Sequence, residues 1–142
     1  MKSMTNTIKK QFEEIGVMTL YLFGSRAQKK EHPLSDFDFA VLLTDPKRIR
    51  REQLDLYHSL YSILSELTEP ATLAQDVIDI VFLDSPSVSL ELKSHIAQKA
   101  TVLYDTQPER RKNFERDVML MNADFHPLRA MMSTALLNRP PV

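Results

Sequence analysis

The chain contains no cysteine and only two glycines, Gly16 and Gly24. The lack of cysteine excludes disulfides, thiolate catalysis and cysteine-ligated zinc. The four histidines are scattered and form no closely spaced pair of metal ligands. Because glycine is so rare here, we expect each glycine to lie where the backbone needs its conformational freedom.

Strong net charge and long apolar runs are also missing. The 142 residues carry a formal net charge of -1, unlike the basic balance of a dedicated nucleic-acid binder. No apolar stretch approaches the ~20 residues of a membrane span, and the first residues lack the apolar segment of a signal peptide. We therefore expect a soluble, cytoplasmic protein with no direct nucleic-acid contact and no membrane association.

Apolar periodicity predicts alternating helices and strands. The pattern predicts an α/β (α+β) fold, in which a small mixed sheet of about four strands is covered by helices. We expect one domain over residues 1–142, with a core at about 17–104 and a helical tail at about 107–139. The predicted strands are 17–23, 37–43, 76–83 and 101–104, and the predicted helices before the tail are 7–15, 49–67 and one that starts at 85–86.

Some local features carry specific expectations. Ser85-Pro86 has the chemistry of a helix start, with proline at the first helical position. Tyr57 and Tyr61 follow the apolar stripe of the long helix and are expected in the core. Pro127 is expected to kink the last helix or to divide it in two.

Carboxylates interrupt two of the predicted strands. Asp36 and Asp38 are two residues apart and should point to the same face. Asp79 lies between two isoleucines in a strand that we expect to be central. If the two strands are neighbours, three carboxylates converge and can hold up to two Mg²⁺ ions. Asp76 and Asp84, at the ends of the second of these strands, are rivals of Asp79 for the third position.

A turn with phosphate-binding chemistry follows the first strand. Gly24 permits close approach of the backbone to an anion, and Ser25 adds a hydroxyl donor. Arg26 or Lys29 would supply positive charge for a phosphate group.

Taken together and in this order, these segments resemble the DNA polymerase beta-like nucleotidyltransferase superfamily. They are Gly24-Ser25-Arg26-Ala27, Ser35-Asp36-Phe37-Asp38 and Ile78-Asp79-Ile80-Val81. The short chain is similar to the minimal nucleotidyltransferase (MNT) group. The resemblance implies that Gly24 and Ser25 bind the triphosphate of ATP, and we expect Arg26 to add to nucleotide binding. It also implies that Asp36, Asp38 and Asp79 are the catalytic and metal-binding carboxylates, with Asp79 activating the acceptor hydroxyl.

The MNT resemblance also implies a partner. Such proteins are commonly antitoxins that form hetero-oligomers with a HEPN ribonuclease toxin, and a type VII-like antitoxin transfers AMP from ATP to a tyrosine of that toxin. Two alternatives remain open at this point. The chain could be an antitoxin that acts by binding alone, or a nucleotidyltransferase that modifies a small molecule such as an antibiotic.

Two further regions have both a structural and a functional interpretation. A basic cluster begins the long helix, and it is either a solvated face or a contact for an acidic partner or for nucleotide phosphates. The tail is rich in methionine, and its helix packs on its own core, on the toxin or on both. The basic cluster consists of Lys47, Arg48, Arg50 and Arg51.

Overall fold

The computed structural model describes residues 3–24, 37–68 and 78–131, except for the side chains of residues 124–131. Helices and strands alternate along these segments. The strands are β1 (Val17–Phe23), β2 (Phe37–Leu43), β3 (Ile78–Phe82) and β4 (Thr101–Asp105). The helices are α1 (Asn6–Ile15), α2 (Ile49–Thr68), α3 (Leu90–Lys99) and α4 (Pro108–Met131). No helix among the described residues is long and apolar enough to span a membrane.

The four strands form one mixed sheet in the order β3-β2-β1-β4. β1 pairs antiparallel with both β2 and β4, whereas β2 and β3 are parallel. A parallel pair needs a crossover connection, and α2 lies in the connection between β2 and β3. This mixed sheet confirms the predicted fold class.

Apolar residues pack on both faces of the sheet. On one face, α1 and α2 cover alternate residues of β2 and β3, including Phe37, Phe39, Ile78 and Phe82. On the other face, α3 and α4 cover a smaller cluster that includes Ala40 of β2 and Ile96 of α3. Because side chains alternate along a strand, this division determines which face each polar residue of β2 and β3 occupies.

Local sequence chemistry explains the helix ends. The Thr5 side chain accepts a hydrogen bond from the Ile8 amide at the start of α1, and Gly16 ends the helix in the left-handed conformation (φ 95°). A short 3-10 turn at Pro46–Arg48, capped by Asp45, leads into α2. These features confirm the predicted stop at Gly16 and the predicted bounds of the first two strands.

The start of α3 was wrongly predicted at Ser85-Pro86. The helix begins at Leu90, where the Ser89 hydroxyl accepts a hydrogen bond from the Leu92 amide. Ser85 instead hydrogen-bonds Ser87 within a turn. Proline after serine is compatible with both a helix start and a turn, so the local signal did not decide between them.

Three other expectations also need correction. β3 is an edge strand among the described strands, because β2 is its only neighbour; Ile78 and Phe82 pack on the α1/α2 face, whereas Val81 packs on the opposite face. Tyr61 is 39% exposed, because it is turned about 100° from Leu60, which lies on the buried face of α2. Of the two outcomes expected at Pro127, division is wrong, because α4 runs unbroken from Pro108 to Met131, while a kink there stays a prediction.

Candidate nucleotidyl-transfer site

Asp38 and Asp79 are register partners on the neighbouring parallel strands β2 and β3. Adjacent strands are about 4.8 Å apart, so the two residues lie side by side. Phe37 and Ile78, the residues before them, pack on the α1/α2 face. Both aspartates therefore point to the opposite face, which α3 and α4 partly cover. The predicted approach of Asp38 and Asp79 is thus found in the fold.

Gly24 lies directly beside this pair. It follows Phe23, the register partner of Asp38, and has a positive φ of 77°. A Cβ at position 24 would collide with the Asp38 carboxylate and would lie 3.3 Å from its Cγ. The turn after β1 therefore requires glycine for two reasons, its backbone conformation and its close approach to Asp38. The result is half-buried backbone next to a carboxylate.

Asp36, Ser25 and Arg26 lie outside the described residues. So do Lys29 and Asp76, which were weighed as a phosphate ligand and as a rival carboxylate. The structure thus brings together Gly24, Asp38 and Asp79 of the predicted site residues.

The chemistry of the donor set fits a divalent cation. Asp38 and Asp79 project from the same face of neighbouring strands, where both carboxylates can contact one cation. Carboxylate oxygens are the ligands that Mg²⁺ prefers, commonly one or two from the protein together with substrate phosphate. Within residues 3–24, 37–68 and 78–131 no group of three potential ligands is present, and the third predicted ligand, Asp36, is outside these ranges.

Asp84 occupies the other end of the sheet and is not a rival of Asp79. Its Oδ2 accepts a hydrogen bond of 2.7 Å from the Leu43 amide, at the last residue of β2. The extended chain from Asp79 to Phe82 spans about 10 Å, and Asp84 lies two residues beyond the end of the strand. Burial raises the pKa of Asp84, against the opposing effect of the Leu43 amide. Asp84 holds the end of β2 and does not face Asp38.

The basic cluster, which spans the 3-10 turn at Pro46–Arg48 and the first turn of α2, is likewise remote from the carboxylate pair. It follows the carboxyl end of β2, whereas Asp38 lies near its amino end. Arg48 pairs with Glu52 at 3.1 Å and also donates to the Ile15 carbonyl, so it joins the end of α1 to α2. This position at the other end of β2 does not favour a contact of the cluster with nucleotide phosphates at Asp38, and its contact with an acidic partner stays a prediction.

A polar network on the α3/α4 face was not predicted. The Tyr21 hydroxyl donates to Glu115 at 2.8 Å, and Arg111 bridges Glu115 and Asp105 at 3.1 and 2.6 Å. Burial, and then the hydrogen bond to Glu115, holds the pKa of Tyr21 above its usual range. The network ties α4 to β1 and β4. In the sequence, the network is indicated locally only by a tyrosine within an apolar strand, because Glu115 lies about 90 residues from Tyr21.

Comparisons with known proteins agree with this geometry. Residues 6–109 match the family model described as "Polymerase beta, Nucleotidyltransferase", and no curated protein matches in sequence. A chain of a toxin–antitoxin complex crystallised with AMP-PNP is 26% identical (TM-score 0.58), with 94% of this chain and 98% of that chain covered. A chain of a mutant MntA-HpeT toxin–antitoxin is 25% identical (TM-score 0.59), with 94% and 95% covered.

A third structure shares the fold at lower identity. It is the tri-AMPylated Shewanella oneidensis HEPN toxin in complex with an MNT antitoxin, at 21% identity and a TM-score of 0.56, with 94% of this chain and 92% of that chain covered. The structural neighbours are thus MNT antitoxin–HEPN toxin complexes. The family model spans most of the chain, including β1 to β4 and the Gly24, Asp38 and Asp79 cluster. The chain belongs to the polymerase beta nucleotidyltransferase family.

Proposed function

We propose that this chain is the antitoxin of a type VII-like toxin–antitoxin pair and transfers AMP from ATP to a tyrosine of a HEPN toxin. The observation that carries the proposal is the in-register pair Asp38 and Asp79 beside the positive-φ Gly24. Membership of the nucleotidyltransferase family supports the reaction type. AMP-PNP in one neighbouring complex and a tri-AMPylated HEPN toxin in another support the nucleotide and the acceptor.

The proposed binding step uses the turn after β1. Gly24 brings backbone amides close to Asp38, and Ser25 and Arg26 would add a hydroxyl and a positive charge for the triphosphate. Asp36, Asp38 and Asp79 would hold one or two Mg²⁺ ions. When bound, these ions would offset the negative charge of the triphosphate and of the leaving pyrophosphate.

Asp79 is the proposed general base. Its side chain is exposed, so an acceptor hydroxyl from another protein can reach it. The carboxylate would take the proton of the tyrosine hydroxyl as the phenolic oxygen attacks the α-phosphorus of ATP. The new O–P bond forms as the bond to the β-phosphate bridging oxygen breaks. The products are AMP-tyrosine, pyrophosphate and a proton.

Two ATP labels test this reaction directly. The purified chain is incubated with Mg²⁺, the HEPN protein encoded by the neighbouring gene, and ATP labelled either at the α- or at the γ-phosphate. We expect transfer of the α-label to a toxin tyrosine and no transfer of the γ-label, because the γ-phosphate leaves with pyrophosphate. Transfer of the γ-label would indicate a kinase instead, and removal of Mg²⁺ with a chelator should abolish the signal.

The two alternatives give different results in the same assay. A binding-only antitoxin would transfer no label, and an Asp36→Ala/Asp38→Ala variant would still protect cells from the toxin. A small-molecule nucleotidyltransferase would consume ATP in the presence of an antibiotic acceptor without any toxin. Either result would overturn the proposed function.

A further inference from the structure

The solvent-facing side of α2 carries an unusual set of exposed residues. We define the α2 ridge as Arg50, Arg51, Leu54, His58 and Tyr61. These residues recur at three- and four-residue spacing and so follow one side of the helix. Leu54 is 68% and Tyr61 39% exposed. The Tyr61 ring stacks on that of the half-buried Tyr57, with ring centroids 6.1 Å apart, which restricts the position of the exposed ring.

The composition of the ridge is typical of a protein interface. Arginine and tyrosine are enriched among the residues that dominate binding energy, and such residues cluster near the centre of an interface. Nucleic acids present a polar and charged surface, which gains little from contact with an exposed leucine at the middle of the interface. The ridge therefore favours a protein partner over RNA or DNA.

The charge of the ridge indicates the chemistry of that partner. Lys47, Arg50 and Arg51 make no ion pair within the described part of the chain, whereas neighbouring Arg48 pairs with Glu52. These cations lie at the amino-terminal end of α2, where the helix dipole adds positive potential. An acidic surface would complement this end, while an apolar pocket would receive Leu54 and Tyr61.

A groove beside the ridge offers a second point of attachment. It lies between α1 and α2, has a volume of about 510 Å³ and is lined in part by His58 and Ser62. Gln11 also lines it, and its Oε1 is buried without a hydrogen-bond partner in the described part of the chain. A buried acceptor without a donor is unfavourable by itself. A donor from a bound protein would satisfy it.

We propose that the α2 ridge and this groove form a docking surface for an acidic face of the toxin. The identity of the partner rests on the proposed function. The surface itself lies on the side of the sheet opposite Asp38 and Asp79, because α2 covers the other face. Docking and AMP transfer therefore use separate surfaces of the chain.

The test measures toxin binding without nucleotide, so that no transfer can occur. The test variant is Arg50→Glu/Arg51→Glu/Leu54→Ala. Its charge-matched control is Lys99→Glu/Lys112→Glu, on the two helices of the opposite sheet face. All of these side chains are exposed, so thermal unfolding should show folded proteins. We expect the ridge variant to weaken binding at least ~30-fold and the control less than ~3-fold.

Kinetics provide a second readout. With the toxin as the varied substrate, the ridge variant should raise KM and leave kcat unchanged, because the carboxylate site is intact. Equal binding by the ridge variant and the control would overturn the docking surface. So would ridge-dependent dimers of the chain alone in light scattering, or ridge-dependent binding of a short single-stranded RNA in place of the toxin.

The two proposals fail in different ways. If label is transferred but binding does not depend on the ridge, the docking surface is wrong and the proposed function stands. If binding depends on the ridge but no label is transferred by the wild-type chain, the docking surface stands and the chain neutralises the toxin by binding alone.

Discussion

Asp79 and Asp84 lie on one short segment of the chain but have different environments. Asp79 is exposed in β3 and is the register partner of Asp38. Asp84, just after the strand, is partly buried and accepts a hydrogen bond from the Leu43 amide. The comparison shows that a carboxylate available for chemistry and a carboxylate that holds the fold can be five residues apart. Environment, rather than residue type, separates them.

The sharpest test of this difference is the pair Asp79→Asn and Asp84→Asn. If Asp79 is the general base, its replacement should lower AMP transfer by about 10²–10⁴-fold and change the free energy of unfolding by less than ~0.5 kcal/mol. Asp84→Asn should leave transfer within a few-fold, because Asn keeps an acceptor for the Leu43 amide. Label transfer measures the activity of the two variants, and urea denaturation measures their free energy of unfolding. Equal loss of transfer in the two variants would contradict the distinction.

The two glycines extend the comparison to the backbone. Both have positive φ, but their surroundings differ. A Cβ added at Gly24 would meet the Asp38 carboxylate, whereas a Cβ added at Gly16 would lie 2.5 Å from the Arg48 guanidinium. Alanine at either position should cost about 1–2 kcal/mol of stability. Only Gly24→Ala should also lower transfer, on the order of 10²-fold, because it displaces a proposed ligand. Comparable transfer by the two variants, measured at a temperature where both are folded, would argue against a role for the Gly24 turn.

Asp84→Ala should reveal the structural role. It removes the acceptor of the Leu43 amide and should cost about 1–3 kcal/mol in unfolding free energy, more than Asp84→Asn. Urea denaturation of the two variants measures the difference. If Ala and Asn are equivalent, the hydrogen bond contributes nothing to stability.

The raised pKa of Asp84 gives this role a pH dependence. A carboxyl whose pKa is higher in the folded than in the unfolded state stabilises the fold below the unfolded pKa. That stability is lost as pH rises through the folded pKa. The advantage of the wild type over Asp84→Asn should therefore be larger at pH 4 than at pH 7. The reverse trend would contradict the effect of burial.

The smallest expected effect concerns the network on the α3/α4 face. Tyr21→Phe removes the hydrogen bond to Glu115 and should cost about 1–2 kcal/mol, because Arg111 still pairs with Glu115. Transfer should change less than ~3-fold, since Tyr21 does not touch Asp38 or Asp79 in the proposed mechanism. A large loss of transfer with unchanged stability would place Tyr21 in the site.

Local patterns in the sequence were sufficient to predict features that depend on a single helix or strand. The bounds of β1 and β2, the stop of α1 at Gly16 and the buried leucines of α2 follow from periodicity and glycine chemistry. The approach of Asp38 to Asp79 needed a condition that periodicity does not supply, namely that their strands are neighbours. The resemblance to a known family supplied that condition.

Other features could not be obtained from local patterns. The edge position of β3 and the exposure of Tyr61 depend on which elements pack against them. The contact between Asp84 and Leu43 and the network of Tyr21 join residues 41 and 94 positions apart. Such partners are chosen by topology, and a serine–proline pair or an apolar run is compatible with several topologies.

The register between β2 and β3 makes the two faces of the sheet dependent on each other. Ile78 and Phe82 are buried beneath α2, which forces Asp79 to the opposite face next to Asp38. A slip of β3 by one residue would bury Asp79 and expose both apolar side chains, so it is strongly disfavoured. Selection for a tightly packed core on the side remote from the substrate would thereby also preserve the spacing of the carboxylates. Mutations that disrupt the packing of that core can therefore lower the activity of the proposed site without altering any residue in it.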